Sequence, residues 1–342
     1  MSPSTTAGIG VAVAGWGMAV PDRRVTNHDL ALRVETSDAW IVERTGIRER
    51  RWVGEGESTA TLAIEAGAAA IKRANLSPSD IGCCIVCTCT PEQPIPPTAA
   101  FVQDALGLRC GAFDIDAACS GFVYGLVVAA SMVASAGFGP VLLIGSETLS
   151  RFADPDDRST SILFGDGAGA VVLVPSDEPA LLAWDLDCDG SAAPLLAIPA
   201  GGSRQPATAA SVAAGDHFLK MDGKEVFRRA VRAMVSSGQA TLEKAGIGAD
   251  ALALWIPHQA NARIIDATAS RLNLPPEKVF VNVDRYGNTS AASVPICLAE
   301  AADEGRLHDG DLVMVSGVGA GMSWATALIR WGPGLHRWGQ GS

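Results

Sequence analysis

Short apolar runs alternate with longer stretches of helical periodicity along this chain. The runs at 82–88, 112–116, 141–145, 168–174, 253–257, 279–283 and 312–316 have the length and β-branched content of buried strands. Amphipathic or alanine-rich stretches at 58–74, 98–106, 121–136, 224–245, 262–272 and 291–304 predict helices. Strand and helix in alternation predict a layered α/β fold with largely buried sheets. The segment 189–216 breaks the pattern: Ala, Gly, Pro and Ser dominate and no periodicity survives, so it reads as a surface excursion between two halves, 1–180 and 181–342. The tail 332–342 reads as a frayed end.

One apolar stretch raises the question of a membrane span. No charged residue occurs between Asp116 and Glu147. Gly137, Gly139 and Pro140 divide it into a helix and a following strand, both of interior character, so a soluble, cytoplasmic protein is expected. The first eight residues lack the positive segment and apolar core of a signal peptide.

Composition narrows the class. Of 342 residues 48% are hydrophobic and 18% charged, which supports a large core and excludes disorder. The net charge of -11 disfavours nucleic acid as a partner. Four of the eight cysteines cluster as Cys83, Cys84, Cys87 and Cys89. The spacing of Cys84 and Cys87 suits a zinc knuckle, but no second pair or histidine follows, and the surrounding run is an interior strand. Reduced core cysteines are expected there, with Cys83, Cys87 and Cys89 on one face and Cys84 on the other. No metal is expected.

Three distant segments carry candidate chemistry. In Phe113-Asp-Ile-Asp-Ala-Ala-Cys119-Ser-Gly-Phe a strand ends and an apolar helix begins, with Cys119 at the junction. Free N–H groups and the positive helix end favour a thiolate, the reactive nucleophile, although an ordinary buried cysteine fits equally well. Trp255-Ile-Pro-His258-Gln-Ala-Asn261-Ala-Arg263 places a histidine at a second strand-to-helix elbow, where a structural role is the commoner one. In Asp284-Arg-Tyr-Gly-Asn288-Thr-Ser-Ala-Ala-Ser-Val-Pro, Asn288 precedes a small-residue helix, and capping or turn formation is the plainer alternative. Together the three describe a nucleophile with two polar partners.

With these segments the sequence resembles the β-ketoacyl-acyl-carrier-protein synthase III family of thiolase-like condensing enzymes. The resemblance extends over 11–331 and includes Thr36-Ser-Asp-Ala-Trp40-Ile-Val-Glu-Arg44-Thr-Gly-Ile-Arg, Asp157-Arg158-Ser-Thr, Leu163-Phe-Gly-Asp-Gly-Ala-Gly-Ala, Met221-Asp-Gly-Lys-Glu-Val-Phe and Gly317-Val-Gly-Ala-Gly-Met-Ser-Trp. It implies a five-layered α-β-α-β-α fold, two pseudo-symmetric halves and a homodimer. It also implies decarboxylative condensation of a primer acyl-CoA with malonyl-acyl-carrier-protein, the initiation of fatty-acid synthesis, with no cofactor. Cys119 would be acylated, His258 and Asn288 would bind the malonyl thioester carbonyl, and the backbone N–H groups of Cys119 and Ala320 would hold the oxyanion. Trp40 and Arg158 would sandwich the CoA adenine with Arg44 at the nucleotide end. Arg263, with Arg228 and Arg271, would receive the acidic carrier protein.

Two departures stand out. Ala320 replaces the middle of three usual glycines, and a left-handed backbone there would be costly. Val318 replaces the usual phenylalanine, hinting at a primer larger than acetyl. The alternatives on this fold are a starter-unit ketosynthase or a non-elongating acyltransferase of polyketide metabolism. Outside it, a zinc-binding or scaffold protein built on the cysteine cluster is the contrasting class. A thiolase would carry a second cysteine within 317–324, an elongating synthase a second histidine in place of Asn288, and a hydroxymethylglutaryl-CoA synthase a glutamate base upstream of Cys119; none is evident.

Overall fold

The computed structural model describes residues 8–135 and 138–332. The N-terminal segment 1–7, Ala136, Gly137 and the tail 333–342 lie outside the described residues. Eight strands form one sheet system: β1 (Ile9–Ala19), β2 (Cys83–Cys87), β3 (Gly111–Ile115), β4 (Val141–Thr148), β5 (Asp166–Cys188), β6 (Leu254–Pro257), β7 (Leu312–Gly319) and β8 (Ser323–Arg330). Their order is β6-β7-β8-β5-β4-β2-β3, with β1 also paired to β5. β2 runs parallel to β3 and β4, and β6 parallel to β7, while the pairs meeting β5 are antiparallel.

The 23-residue β5 joins the two halves. Its first part pairs with β4 and β1, its last part with β8, and the expected boundary at 180/181 falls inside it. The helices that pack on the sheets include α1 (Thr59–Arg73), α2 (Thr98–Ala105), α3 (Gly121–Ser135), α4 (Gly223–Ala245), α5 (Ala262–Arg271) and α6 (Ser293–Asp303). Ser58 starts α1 by accepting the N–H of Thr61, and Gly246 stops α4 in a left-handed conformation, φ 68°.

Three hydrophobic cores separate five layers. Leu62, Ala66 and Val102 of α1 and α2 pack on Cys84, Val86, Leu142 and Ile144. Phe122, Val123 and Leu126 of α3, with Val294 and Leu298 of α6, fill the middle between Ile85 and Leu143 on one side and Ile256 and Val315 on the other. Val231, Met234 and Ile265 of α4 and α5 pack on Trp255, Met314 and Leu328. This is the five-layered α-β-α-β-α arrangement implied by the resemblance. The period-2 pleat sorts three of the cysteines as expected, Cys83 and Cys87 into the middle core and Cys84 into an outer one. The strand ends at Cys87, however, and Cys89, expected on the face of Cys83, packs instead with the Leu149 and Phe164 cluster. Ala118–Ser135 is long and apolar enough to cross a membrane, but it lies mainly within the middle layer, covered by strands.

Two expectations need correction. Residues 279–283 do not form a strand; only one bridge, Trp255 to Val279, survives. The N–H groups of Asn282 and Val283 donate instead to the Gln259 side-chain oxygen at 2.9 and 3.1 Å, which turns the chain into a short helix, Val283–Tyr286. The 189–216 segment is not purely a surface excursion. Leu196–Ala197 pairs with Lys220–Met221, and Ala192, Ala200 and Ser211 are buried.

Candidate active site

Cys119 sits in a tight elbow after β3. Ala118 takes a left-handed backbone, φ 47°, and Ala118–Ser120 forms a 3₁₀ turn leading directly into α3. The end of β7 packs against this turn so closely that only glycine fits. A Cβ on Gly319 would lie 2.5 Å from the Cys119 nitrogen, and one on Gly317 would lie 2.8 Å from the Ser120 Cα. In the loop that follows, the positive φ falls on Gly321 (127°) and Ala320 is spared. The strain anticipated for Ala320 therefore does not arise.

A second elbow mirrors the first in the other half. Ser290 has φ 47°, Ser290–Ala292 forms a 3₁₀ turn, and α6 follows. Asn288, just ahead of it, is buried, and its Oδ1 accepts the Ser290 N–H at 2.9 Å. That bond assigns the amide: Nδ2 with its two protons is the group left for a ligand. His258 follows β6, its own N–H donating to the Ser316 carbonyl at 2.7 Å. Its Nδ1 lies 2.7 Å from Ser293 Oγ, leaving Nε2 free. Ser293 Oγ also donates to the Ser290 carbonyl at 2.9 Å, and while it does so it can only accept from Nδ1, so the placement of its single proton selects the imidazole tautomer. When it donates to Nδ1, Nε2 carries the ring proton.

Cys119, His258 and Asn288 line one cavity of about 660 Å³. One wall is apolar, formed by Leu149, Phe164, Leu196, Ile198, Leu219 and Met221, and Val318 lines the same cavity as Cys119. Leu196 and Ile198 come from the segment read as a surface excursion. Burial lowers the His258 pKa to about 3, so the imidazole is neutral at physiological pH. Burial also pushes the Cys119 thiol up to about 12, opposed first by the Ser290 hydroxyl and aggravated by the Glu147 carboxylate. Burial thus opposes the helix-end thiolate read from sequence.

Glu147, Ser290 and Ser293 escaped the sequence reading as site residues. Glu147 ends the charge-free stretch directly after an apolar strand, which was the available signal. Ser290 and Ser293 lie within the Asn288 motif but carry no distinguishing pattern.

Trp40 lies on a helix capped by Ser37 (Asp38–Thr45). The Arg44 and Arg158 guanidinium carbons lie 4.3 and 4.6 Å from its ring centroid. Arg158 also donates to the Glu35 carbonyl at 2.8 Å. Seating a planar base between Trp40 and Arg158 takes about 7 Å, two stacking distances, so Arg158 must swing outward to admit one. Arg263 lies 5.6 Å over Phe227, which lines the main cavity. Arg228 and Arg271 line a separate groove with Arg232, a residue the sequence reading missed; Arg228 is paired with Glu225 at 2.7 Å.

Residues 113–190 match the family profile of 3-oxoacyl-[acyl-carrier-protein] synthase III, and residues 242–331 that of its C-terminal part. The chain is 54% identical over 321 residues to the β-ketoacyl-[acyl-carrier-protein] synthase III of Roseiflexus castenholzii, covering 93% of this chain and 97% of that one. The chain belongs to this family. The Symbiobacterium thermophilum synthase III is 48% identical, over 94% and 98% of the two chains. The crystal structure of 3-oxoacyl-[acyl-carrier-protein] synthase III from Aquifex aeolicus matches with a TM-score of 0.87 at 44% identity, covering 94% of this chain and all of that one. The priming β-ketosynthase of the R1128 polyketide pathway matches at 0.89 with 35% identity, over 96% and 98%. The chain is accordingly an acyltransferase with the thiolase-like fold of these condensing enzymes.

Proposed function

We propose that Cys119 is the nucleophile, and His258 and Asn288 the paired donors, of a two-stage condensation. The reaction is the decarboxylative Claisen condensation of a primer acyl-CoA with malonyl-acyl-carrier-protein, giving 3-oxoacyl-acyl-carrier-protein, CoA and CO2 and initiating fatty-acid synthesis. In the first stage Cys119 attacks the acyl-CoA carbonyl, the N–H groups of Cys119 and Ala320 hold the oxyanion, and CoA leaves. In the second, Nε2–H of neutral His258 and Nδ2–H of Asn288 bind the malonyl thioester carbonyl. Loss of CO2 leaves an enolate whose charge these donors stabilise, each contributing about 3 kcal/mol to lowering the barrier. The enolate carbon then attacks acyl-Cys119.

The observation that carries this reading is the bonding of Asn288 and His258. Oδ1 of Asn288 and Nδ1 of His258 are both engaged inside the protein, so each has its remaining nitrogen available in the cavity that holds Cys119. A plain acyl transfer has no use for two such donors. The apolar wall and Val318 favour a primer larger than acetyl. Trp40, Arg158 and Arg44 bind the nucleotide end of CoA, while Arg263, Arg228 and Arg271 receive the carrier protein. No cofactor is needed beyond acyl-CoA as substrate, and the working form is a cytoplasmic homodimer. A starter-unit ketosynthase is the second reading, favoured by the likeness to the R1128 enzyme; the more closely identical relatives favour the first.

Intact-mass measurement after incubation with a panel of acyl-CoAs tests the reading. One acyl adduct, absent from Cys119→Ser, is expected. No adduct with any acyl-CoA would overturn it.

A further inference from the structure

Behind Cys119 lies a buried carboxylate that the two-stage scheme does not use. Glu147, near the end of β4, is inaccessible to solvent. Its Oε2 accepts from Thr90 Oγ1 at 2.6 Å and Thr88 Oγ1 at 3.2 Å. Oε1 accepts from Ser290 Oγ at 3.0 Å, from Cys89 Sγ at 3.3 Å and from the Ala291 N–H at 3.4 Å, and the Cys89 N–H reaches both oxygens at 3.2 Å. These donors are all neutral. The titratable groups facing it are thiols: Cys87, Cys89 and Cys119. Asp116 adds a second negative field at Cys89 and Cys119.

The Ser290 hydroxyl connects this carboxylate to the nucleophile. It donates to Glu147, so its lone pairs can accept from a thiol; Cys89 Sγ lies 3.6 Å away, and the turn that holds Cys119 packs against the turn that holds Ser290, both residues lining one cavity. We propose that Glu147, acting through Ser290, is the proton acceptor that activates Cys119 for acylation. The inference rests on Cys119 being the nucleophile.

The step balances without an outside base. The Cys119 S–H proton passes to Ser290 Oγ while the Ser290 hydroxyl proton passes to Glu147 Oε1. Ser290 then donates to the thiolate, and the new carboxylic acid donates to Ser290. One buried negative charge moves from Glu147 to Cys119 and none is created, which avoids the desolvation cost of ionising a thiol beside a standing carboxylate. The thiolate sulfur then bonds to the acyl carbon as the acyl–S bond of acyl-CoA breaks. The departing CoA sulfur takes up one proton, and Glu147 ends the half-reaction ionised. This divides the labour: His258, whose proton affinity burial has lowered, stays a neutral donor, and burial raises the proton affinity of Glu147.

The test separates the half-reactions. Acylation of Cys119 by acyl-CoA is followed by intact mass across pH 6–10, and decarboxylation of malonyl-acyl-carrier-protein by CO2 release, in wild type, Glu147→Gln, Glu147→Asp and Ser290→Ala. Glu147→Gln and Ser290→Ala are expected to slow acylation about 100-fold at pH 7, recovering as pH rises, with decarboxylation changed less than about tenfold. Glu147→Asp is expected to restore part of the rate. Faster acylation in Glu147→Gln would show that the carboxylate only repels the thiolate. Wild-type acylation in Ser290→Ala would break the relay even if the Gln variant failed to fold, and equal loss of both half-reactions would make Glu147 merely structural. Failure of wild type to acylate would instead remove Cys119 as nucleophile.

Discussion

Ala118 and Ser290 adopt the same left-handed backbone, φ 47° at each, and each opens a 3₁₀ turn that runs into a middle-layer helix. The two halves thus present matching elbows, one offering Cys119 and the other held beside Asn288. For a residue with a Cβ this conformation costs roughly 1–2 kcal/mol, and far more with a β-branched side chain. Ala118→Gly is expected to keep the melting temperature within a few degrees, whereas Ala118→Val lowers it and slows Cys119 acylation at least tenfold. Calorimetry and intact-mass kinetics together check this.

His258 predicts an acid limit. Its folded pKa of about 3 lies below the ordinary value of 6.5, so between these values the unfolded chain binds the proton that the folded one refuses. The stability contribution is fully present above pH 6.5 and is lost as pH falls towards 3, roughly 5 kcal/mol in all. The slope of melting temperature between pH 6.5 and 4 is expected to flatten in His258→Asn. Decarboxylation by the wild type is expected to show no inflection near pH 6.5.

Asn288→Asp replaces an N–H donor by a carboxylate oxygen while keeping the acceptor for the Ser290 N–H. Decarboxylation is expected to fall by about 100- to 1000-fold, with acylation of Cys119 largely retained. Parallel assays of the two half-reactions read the split; equal losses would contradict the assignment of Asn288 to the malonyl carbonyl.

Trp40→Ala removes the plane on which Arg44 and Arg158 stack. The KM for acyl-CoA is expected to rise about tenfold and the KM for malonyl-acyl-carrier-protein to stay within twofold, a difference of roughly 1.4 kcal/mol confined to one substrate. Steady-state kinetics with each substrate varied in turn distinguishes this from general damage.

In the groove of Arg228, Arg232 and Arg271, charge reversal at Arg232 is expected to act the other way. Arg232→Glu raises the KM for the carrier-borne substrate several-fold at low salt, with the effect shrinking as ionic strength rises. A salt series of the kinetics checks it.

Most of the scaffold was legible along the chain because its signals are local. The apolar period placed β2, β3, β4 and β7, and the same period correctly assigned Cys83 and Cys87 to one core and Cys84 to another. It failed at 279–283, where an apolar run is diverted by the Gln259 side chain, a partner twenty or more residues away. It also failed at 189–216, whose Leu196 and Ile198 have no periodicity and gain their role only by facing the Cys119 cavity.

The sequence by itself determined which residues stand at the turns, since Cys119 and His258 each follow a strand ahead of a helix and Asn288 precedes a small-residue helix, all marked by local composition. Only the tertiary structure decided their protonation and direction. Burial, a property of the whole packed body, lowers the proton affinity of His258 and raises that of the Cys119 thiol, and hydrogen bonds with Ser290 and Ser293 orient Asn288 and His258. Glu147 bonds Ser290, 143 residues away along the chain, because two elbows from different halves meet there. Electrostatics and donor geometry depend on such distant neighbours, and no local pattern of hydrophobic and polar residues records them.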